Sequence, residues 1–81
     1  MKMKILINTI DKTTDFVNTI ESLPGSFQLS DGIRNIEASS ILGIFSMDIT
    51  KPLELIVKNA PKDAAPHIKK ELGHLLYKGE S

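Results

Sequence analysis

Ser39-Ser40-Ile41-Leu42-Gly43-Ile44-Phe45-Ser46-Met47 is the stretch on which the fold of this chain turns. Two hydroxyls open a short, strongly apolar run with a glycine inside it. Serine caps a helix by accepting a hydrogen bond from an N–H that the first turn leaves unpaired. Ser39-Ser40 thus opens a short helix, with Ser40 as its cap. The run carries more apolar side chains than so short a helix can bury. Ile44 and Phe45 are expected in the core, Ile41 and Leu42 on the surface. Gly43 is expected to let a neighbouring segment approach closely.

Upstream, Phe27 and Leu29, then Ser30-Asp31-Gly32, then Ile36 and Ala38 predict a hairpin, with Asp-Gly supplying the positive φ angles of a tight turn. Before it, Phe16, Val17, Ile20 and Leu23 form one apolar helical stripe that Thr9 or Asp11 can cap and Pro24-Gly25 can stop. Lys2 to Asn8 alternates like a strand. Downstream, Asp48 to Pro52 is a loop, and Leu53, Leu55 and Val57 mark a half-buried strand. After a turn over Asn59 to Lys62, Asp63 is expected to cap a last helix. Pro66 falls in its first turn, and Ile68, Leu72, Leu75 and Leu76 form its stripe. The order is β-α-β-β-α-β-α. It predicts an α+β open-faced sandwich, a four-stranded antiparallel sheet with helices on one face.

Composition narrows the function classes. At 81 residues the chain makes one domain, residues 1–81. Ten basic and ten acidic side chains cancel, so the electrostatic footprint of a nucleic-acid or anionic-membrane binder is missing. The sequence has no cysteine, which excludes disulfides, thiol catalysis and thiolate metal sites. Met1 to Ile7 is too short and too lysine-interrupted for a signal peptide or membrane span. A cytoplasmic protein is expected.

The element order, together with a Ser-Ile-(Leu/Met)-Gly-(Ile/Val)-(Phe/Met)-Ser pattern at the second helix, resembles HPr, the small phosphocarrier family of the bacterial sugar phosphotransferase system. Phe27, Leu29, Ile36, Leu55 and Val57 fall in the family's hydrophobic positions. The resemblance implies the HPr-like sandwich fold. HPr carries Gly-x-His-Ala-Arg-Pro before its first helix, with the histidine accepting phosphate and the arginine helping to hold it. Here that stretch reads Asn8-Thr9-Ile10-Asp11-Lys12-Thr13. Thr9 stands near the histidine's place and Asp11 near the arginine's. A threonine phosphoester is stable where phosphohistidine transfers readily, and an aspartate repels an arriving phosphate. Phosphotransfer through this degenerate loop is therefore not expected.

The resemblance also implies a role for Ser40. In HPr of Gram-positive bacteria the matching serine is phosphorylated by a dedicated kinase. A paralogue lacking the histidine keeps only that serine and docks, when phosphorylated, on a transcription regulator. A phosphate on Ser40 would add about −1.5 to −2 charges at a helix amino terminus, which favours anions by roughly 0.3–1 kcal/mol when exposed. Ser39, Ile41, Leu42 and Phe45 then become partner-binding candidates, although Ser39 replaces the family's usual lysine. The expected function is a regulatory interaction module without enzymatic activity, linked to carbon-source regulation. Its expected partners are proteins: a kinase, a transcription regulator or a phosphotransferase-system component. The alternatives are a working phosphocarrier with another acceptor, or an unregulated scaffold with Ser40 merely a cap.

Other constellations are weaker. His67 and His74, with Glu71 between, are expected on one face of the last helix. Seven residues span about 10 Å, too far for both rings to bind one metal, so neither a metal nor a cofactor is expected. Asp11 and Asp15, one turn apart, fit the routine placement of acids near a helix start. Nothing arranges serine, histidine and aspartate as a triad. Gly25, Gly32 and Gly43 are isolated and form no phosphate-cradling loop.

Overall fold

The apolar alternation of four segments gives a computed structural model with one antiparallel sheet, described over residues 1–77. In chain order the elements are β1 (Lys2–Ile5), α1 (Ile10–Glu21), β2 (Ser26–Ser30), β3 (Asn35–Glu37), α2 (Ile41–Phe45), β4 (Leu53–Lys58) and α3 (Ala65–Leu72). Single 3₁₀ turns at Lys62–Ala64 and Gly73–Leu75 flank α3. The sheet order is β1-β4-β2-β3. Because β1 and β2 both pair antiparallel with β4, they run parallel to each other with β4 between them. This is a split β-α-β unit.

Register sorts the two faces. Met3 pairs with Leu55, Leu55 with Leu29, and Leu29 with Ile36, so one apolar row crosses all four strands. Lys2, Ile56, Gln28 and Glu37 form the neighbouring row, on the opposite face. The first face is buried against the helices in one cluster that includes Phe16, Ile20, Ile44, Ile68 and Leu72. The protein is thus an α+β open-faced sandwich.

Several expected boundaries move for local reasons. β1 ends at Ile5 rather than Asn8, because the chain after the last 3₁₀ turn takes over its edge. The Leu6 N–H donates to the Leu75 carbonyl at 2.9 Å, and the Tyr77 N–H to the Lys4 carbonyl at 2.9 Å. The hairpin is not a two-residue Asp-Gly turn. Ser30 pairs with Asn35, leaving a four-residue loop, Asp31–Arg34, between the strands. Only Gly32 there takes a positive φ, +94°. Asp31 instead accepts the N–H groups of Ile33 at 2.9 Å and Arg34 at 2.8 Å, an Asx arrangement that closes the loop.

α1 stops at Glu21, before Pro24-Gly25, with Ser22 as its C-cap. Gly25 then turns the chain at φ +115°, and a Cβ there would lie 3.0 Å from both Ala60 Cβ and the Lys58 carbonyl oxygen. The turn and the close approach both demand glycine. Asp63 does not cap the last helix: it lies inside the 3₁₀ turn, and α3 begins after Ala64 with no side-chain cap. Pro66 sits in the first turn of α3, as expected. α3 also ends earlier than its apolar stripe, so Leu75 is buried from the 3₁₀ turn and Leu76 bridges Ile5.

Candidate functional site

Ser40 is the N-cap of α2. Its backbone is extended and its Oγ accepts the Gly43 N–H at 3.2 Å, while its carbonyl takes the Ile44 N–H at 2.9 Å. Gly43 allows this arrangement. A Cβ there would meet Ser40 Oγ at 3.0 Å and Ile36 Cδ1 at 3.3 Å, so the helix can lie directly on β3. The far end of α2 is held from outside. Arg34 donates from its guanidinium to the Ser46 carbonyl at 2.9 Å, and the Ser46 hydroxyl donates to the Gly43 carbonyl at 2.6 Å. Five residues are too few for a self-supporting helix. These contacts and the burial of Ile44 hold it.

Only Ile44 of the helix is fully buried. Leu42 is 84% exposed, and Ile41 and Phe45 are 40% and 41% exposed. The expectation for Phe45 is corrected: it is a surface residue. Successive residues on a helix rotate by about 100°. With Ile44 facing the core, Phe45 therefore falls on the outer side with Ile41, its i−4 neighbour. α2 thus shows three large apolar side chains to solvent, where an isolated one would be ordinary.

Ser39 lies beside a hollow at the end of α1, which is also lined by Ile20, Glu21, Leu23, Phe27 and Glu37. Glu37 lies in the strand row on the sheet face away from the helices, so its place in this lining does not turn its side chain toward α2. The ion pairs among the described residues are Arg34 with Asp31 at 3.9 Å and His74 with Asp15 at 2.8 Å. Neither brings a cation to Ser40.

At the other candidate position, Thr9 is the N-cap of α1 and accepts the Lys12 N–H at 3.1 Å. Asp11 lies in the first turn of α1, so the choice between the two caps falls on Thr9. Thr13 is fully buried, and its hydroxyl lies 2.8 Å from the Thr9 carbonyl and 3.2 Å from that of Ile7. This loop is thus bound up with helix capping. Ile10, the first residue of α1, is nevertheless 68% exposed.

The two histidines do not share a helix face. α3 ends at Leu72, and His74 is in the 3₁₀ turn, where its ring reaches across to Asp15 of α1. Asp15 is therefore partnered by His74 rather than by Asp11. Among the described residues no three metal-ligating side chains are gathered together, and no helix is long and apolar enough to cross a membrane.

Carboxylate environments are clearest in two turns. The backbone N–H groups of Arg34 and Ile33 hold Asp31 below the usual carboxylate range. The Thr50 hydroxyl, and then its N–H, do the same for Asp48. Both acids are exposed turn-formers. Sequence reasoning missed the Arg34 brace on α2, because residues 34 and 46 meet only once the hairpin folds back. No protein-family profile matches the chain, and no curated protein is significantly similar to it.

Proposed function

We propose that the protein is an HPr-like interaction module that docks on other proteins through α2 and does not relay phosphate through histidine. The exposure of Ile41, Leu42 and Phe45 together on one short, externally braced helix carries this reading. A monomeric surface gains nothing from three such side chains on five residues, whereas covering them in an interface removes apolar area from water, most of all at Leu42, which is 84% exposed. The family resemblance at Ser39 to Met47 supports the same surface. Thr9 stands near the carrier histidine's place, and the presence of a threonine rather than an imidazole supports the absence of a phosphohistidine relay.

Ser40 is the control point in this proposal. Its Oγ is exposed at the rim of the apolar face, and a kinase would form an Oγ–P bond there while the donor's phosphoanhydride breaks and the hydroxyl proton leaves. The phosphate would keep an acceptor oxygen for the Gly43 N–H and add charge beside Ile41 and Leu42. The partner expected is a transcription regulator or a phosphotransferase-system component in a bacterial cytoplasm.

Incubation with HPr kinase and a phosphate donor, on the wild-type chain and Ser40→Ala, tests the control point. Mass spectrometry should find one phosphate on the first and none on the second. Incubation with enzyme I and labelled phosphoenolpyruvate tests the carrier alternative. Acid-labile label on the chain would overturn the proposal, and absence of phosphate on Ser40 would remove its regulatory part.

A further inference from the structure

The two edges of the sheet are finished differently. Along β1 the chain after α3 supplies cover, through Leu6 with Leu75, Tyr77 with Lys4, and the bridge of Leu76 to Ile5. β3 is the opposite edge and has no such cover among the described residues. The ladder fixes which of its groups point outward. Ala38 donates to the Phe27 carbonyl and Asp31 to the Arg34 carbonyl, so Ala38, Ile36 and Arg34 hold the bonded positions toward β2. The N–H and C=O groups of Asn35 and Glu37 therefore point away from the sheet. The Glu37 carbonyl accepts the Ser40 N–H at 3.1 Å and keeps a second lone pair. Neither outward N–H finds a backbone acceptor among the described residues. Such an edge is a template for another strand.

We propose that the strand it receives is β3 of a second copy of this chain, paired antiparallel about a two-fold axis at Ile36. This register is self-complementary. Asn35 falls opposite the partner's Glu37, so the outward groups exchange hydrogen bonds and no like charges meet. On the helix side, the apolar row Met3, Leu55, Leu29, Ile36 meets the partner's Ile36 and continues through the second sheet. Slips of two residues set Glu37 on the partner's Glu37 or Ile36 on the partner's Arg34, and a slip of one mismatches the bonding groups. Three residues of edge are too few to hold a dimer alone; α2 supplies the rest. It lies on β3 through Gly43 and touches α1 on the inner side, which leaves its outer flank toward the open edge. Ile41, Leu42 and Phe45, all exposed, then meet their counterparts across the axis. The inference goes beyond the docking reading, which needs only the free face of α2. Dimer and docked protein exclude each other, so the docking form is the monomer.

The test is the oligomeric state of the full chain in solution. Sedimentation equilibrium from about 10 μM to about 1 mM should show a reversible rise from monomer to dimer. In a mixture of ¹³C-labelled and unlabelled chains, filtered NOE spectra should connect the Ile36 methyl groups of the two copies. The Asn35 and Glu37 amides should gain protection from exchange as concentration rises. Asn35→Glu sets a carboxylate opposite the partner's Glu37, twice by symmetry, and should weaken the dimer about three- to tenfold; Asn35→Lys should tighten it by a similar factor. Leu42→Ser should weaken it as well. Asn35 is exposed, so its variants should keep the wild-type melting temperature in dilute, monomeric solution.

A chain that stays monomeric throughout, or a dimer whose contacts lie elsewhere, would overturn the inference. So would a dimer that both Asn35 variants leave unchanged, because the strand register then plays no part. If the chain stays monomeric yet binds another protein through Leu42, the dimer falls and the docking reading stands. If it dimerises as described and no protein docks on α2, the dimer stands and the docking reading falls.

Discussion

At the residue scale, adjacent or near-adjacent side chains of α2 have opposite assignments. Ile44 is fully buried and Leu42 is 84% exposed. Ile44→Ala should therefore cost about 2–5 kcal/mol in urea unfolding, the range for deleting a buried aliphatic side chain. Leu42→Ala should stay within about 0.5 kcal/mol of wild type. Equal losses would place both residues in the core and remove the docking face. Ser40→Asp keeps a capping oxygen on the Gly43 N–H and places charge at a helix amino end. Its melting temperature should stay within about 4 °C of wild type, and a larger fall in thermal unfolding would contradict the cap assignment.

At the scale of elements, α2 and the hairpin loop form a coupled pair. Arg34 ties the loop to the carboxyl end of the helix, and Asp31 shapes the loop through two backbone N–H groups. Those hydrogen bonds lower the pKa of Asp31, the larger effect coming from the Arg34 N–H. A lowered folded-state pKa means that the stabilisation is fully present above the unfolded value, about 3.9. It is lost as pH falls through the lower folded value. The Ile33 and Arg34 amides should accordingly shift in NMR spectra below about pH 4, and Asp31→Asn should remove that transition. A second coupling joins His74 to Asp15 and ties the 3₁₀ turn after α3 to α1. Because both side chains are half exposed, its worth is small, about 0–1 kcal/mol.

At the scale of the whole molecule, the sheet holds one continuous core, and β4 lies at its centre between β1 and β2. Leu55 is fully buried where the central row crosses, paired with Met3 on one side and Leu29 on the other. Leu55→Ala should lower stability by about 2–5 kcal/mol, a large share of what an 81-residue chain possesses. Circular dichroism of helix and near-ultraviolet signals should melt together in that variant, because all helices share the cluster. Separate transitions would contradict a single core.

Period-two and helical spacing, with Ser40 before its apolar run, were enough to identify the seven elements and the α+β class. Those signals are local: each depends on side chains within a few residues of one another. The cap on Ser40 was legible for the same reason, since its partner is three residues away. Strand order, the four-residue hairpin loop and the early end of β1 were not legible. They depend on pairing between distant segments, such as Tyr77 with Lys4. The exposure of Phe45 was likewise hidden, because the composition of α2 does not say which side of a five-residue helix meets the sheet. Gly43 lying against Ile36 turns Ile44 inward and leaves Ile41, Leu42 and Phe45 outside. Chemistry and local conformation followed from neighbours in the chain; the surface offered to a partner followed from packing, which brings Arg34 of the hairpin loop to the carboxyl end of α2 and buries Ile44 beneath it.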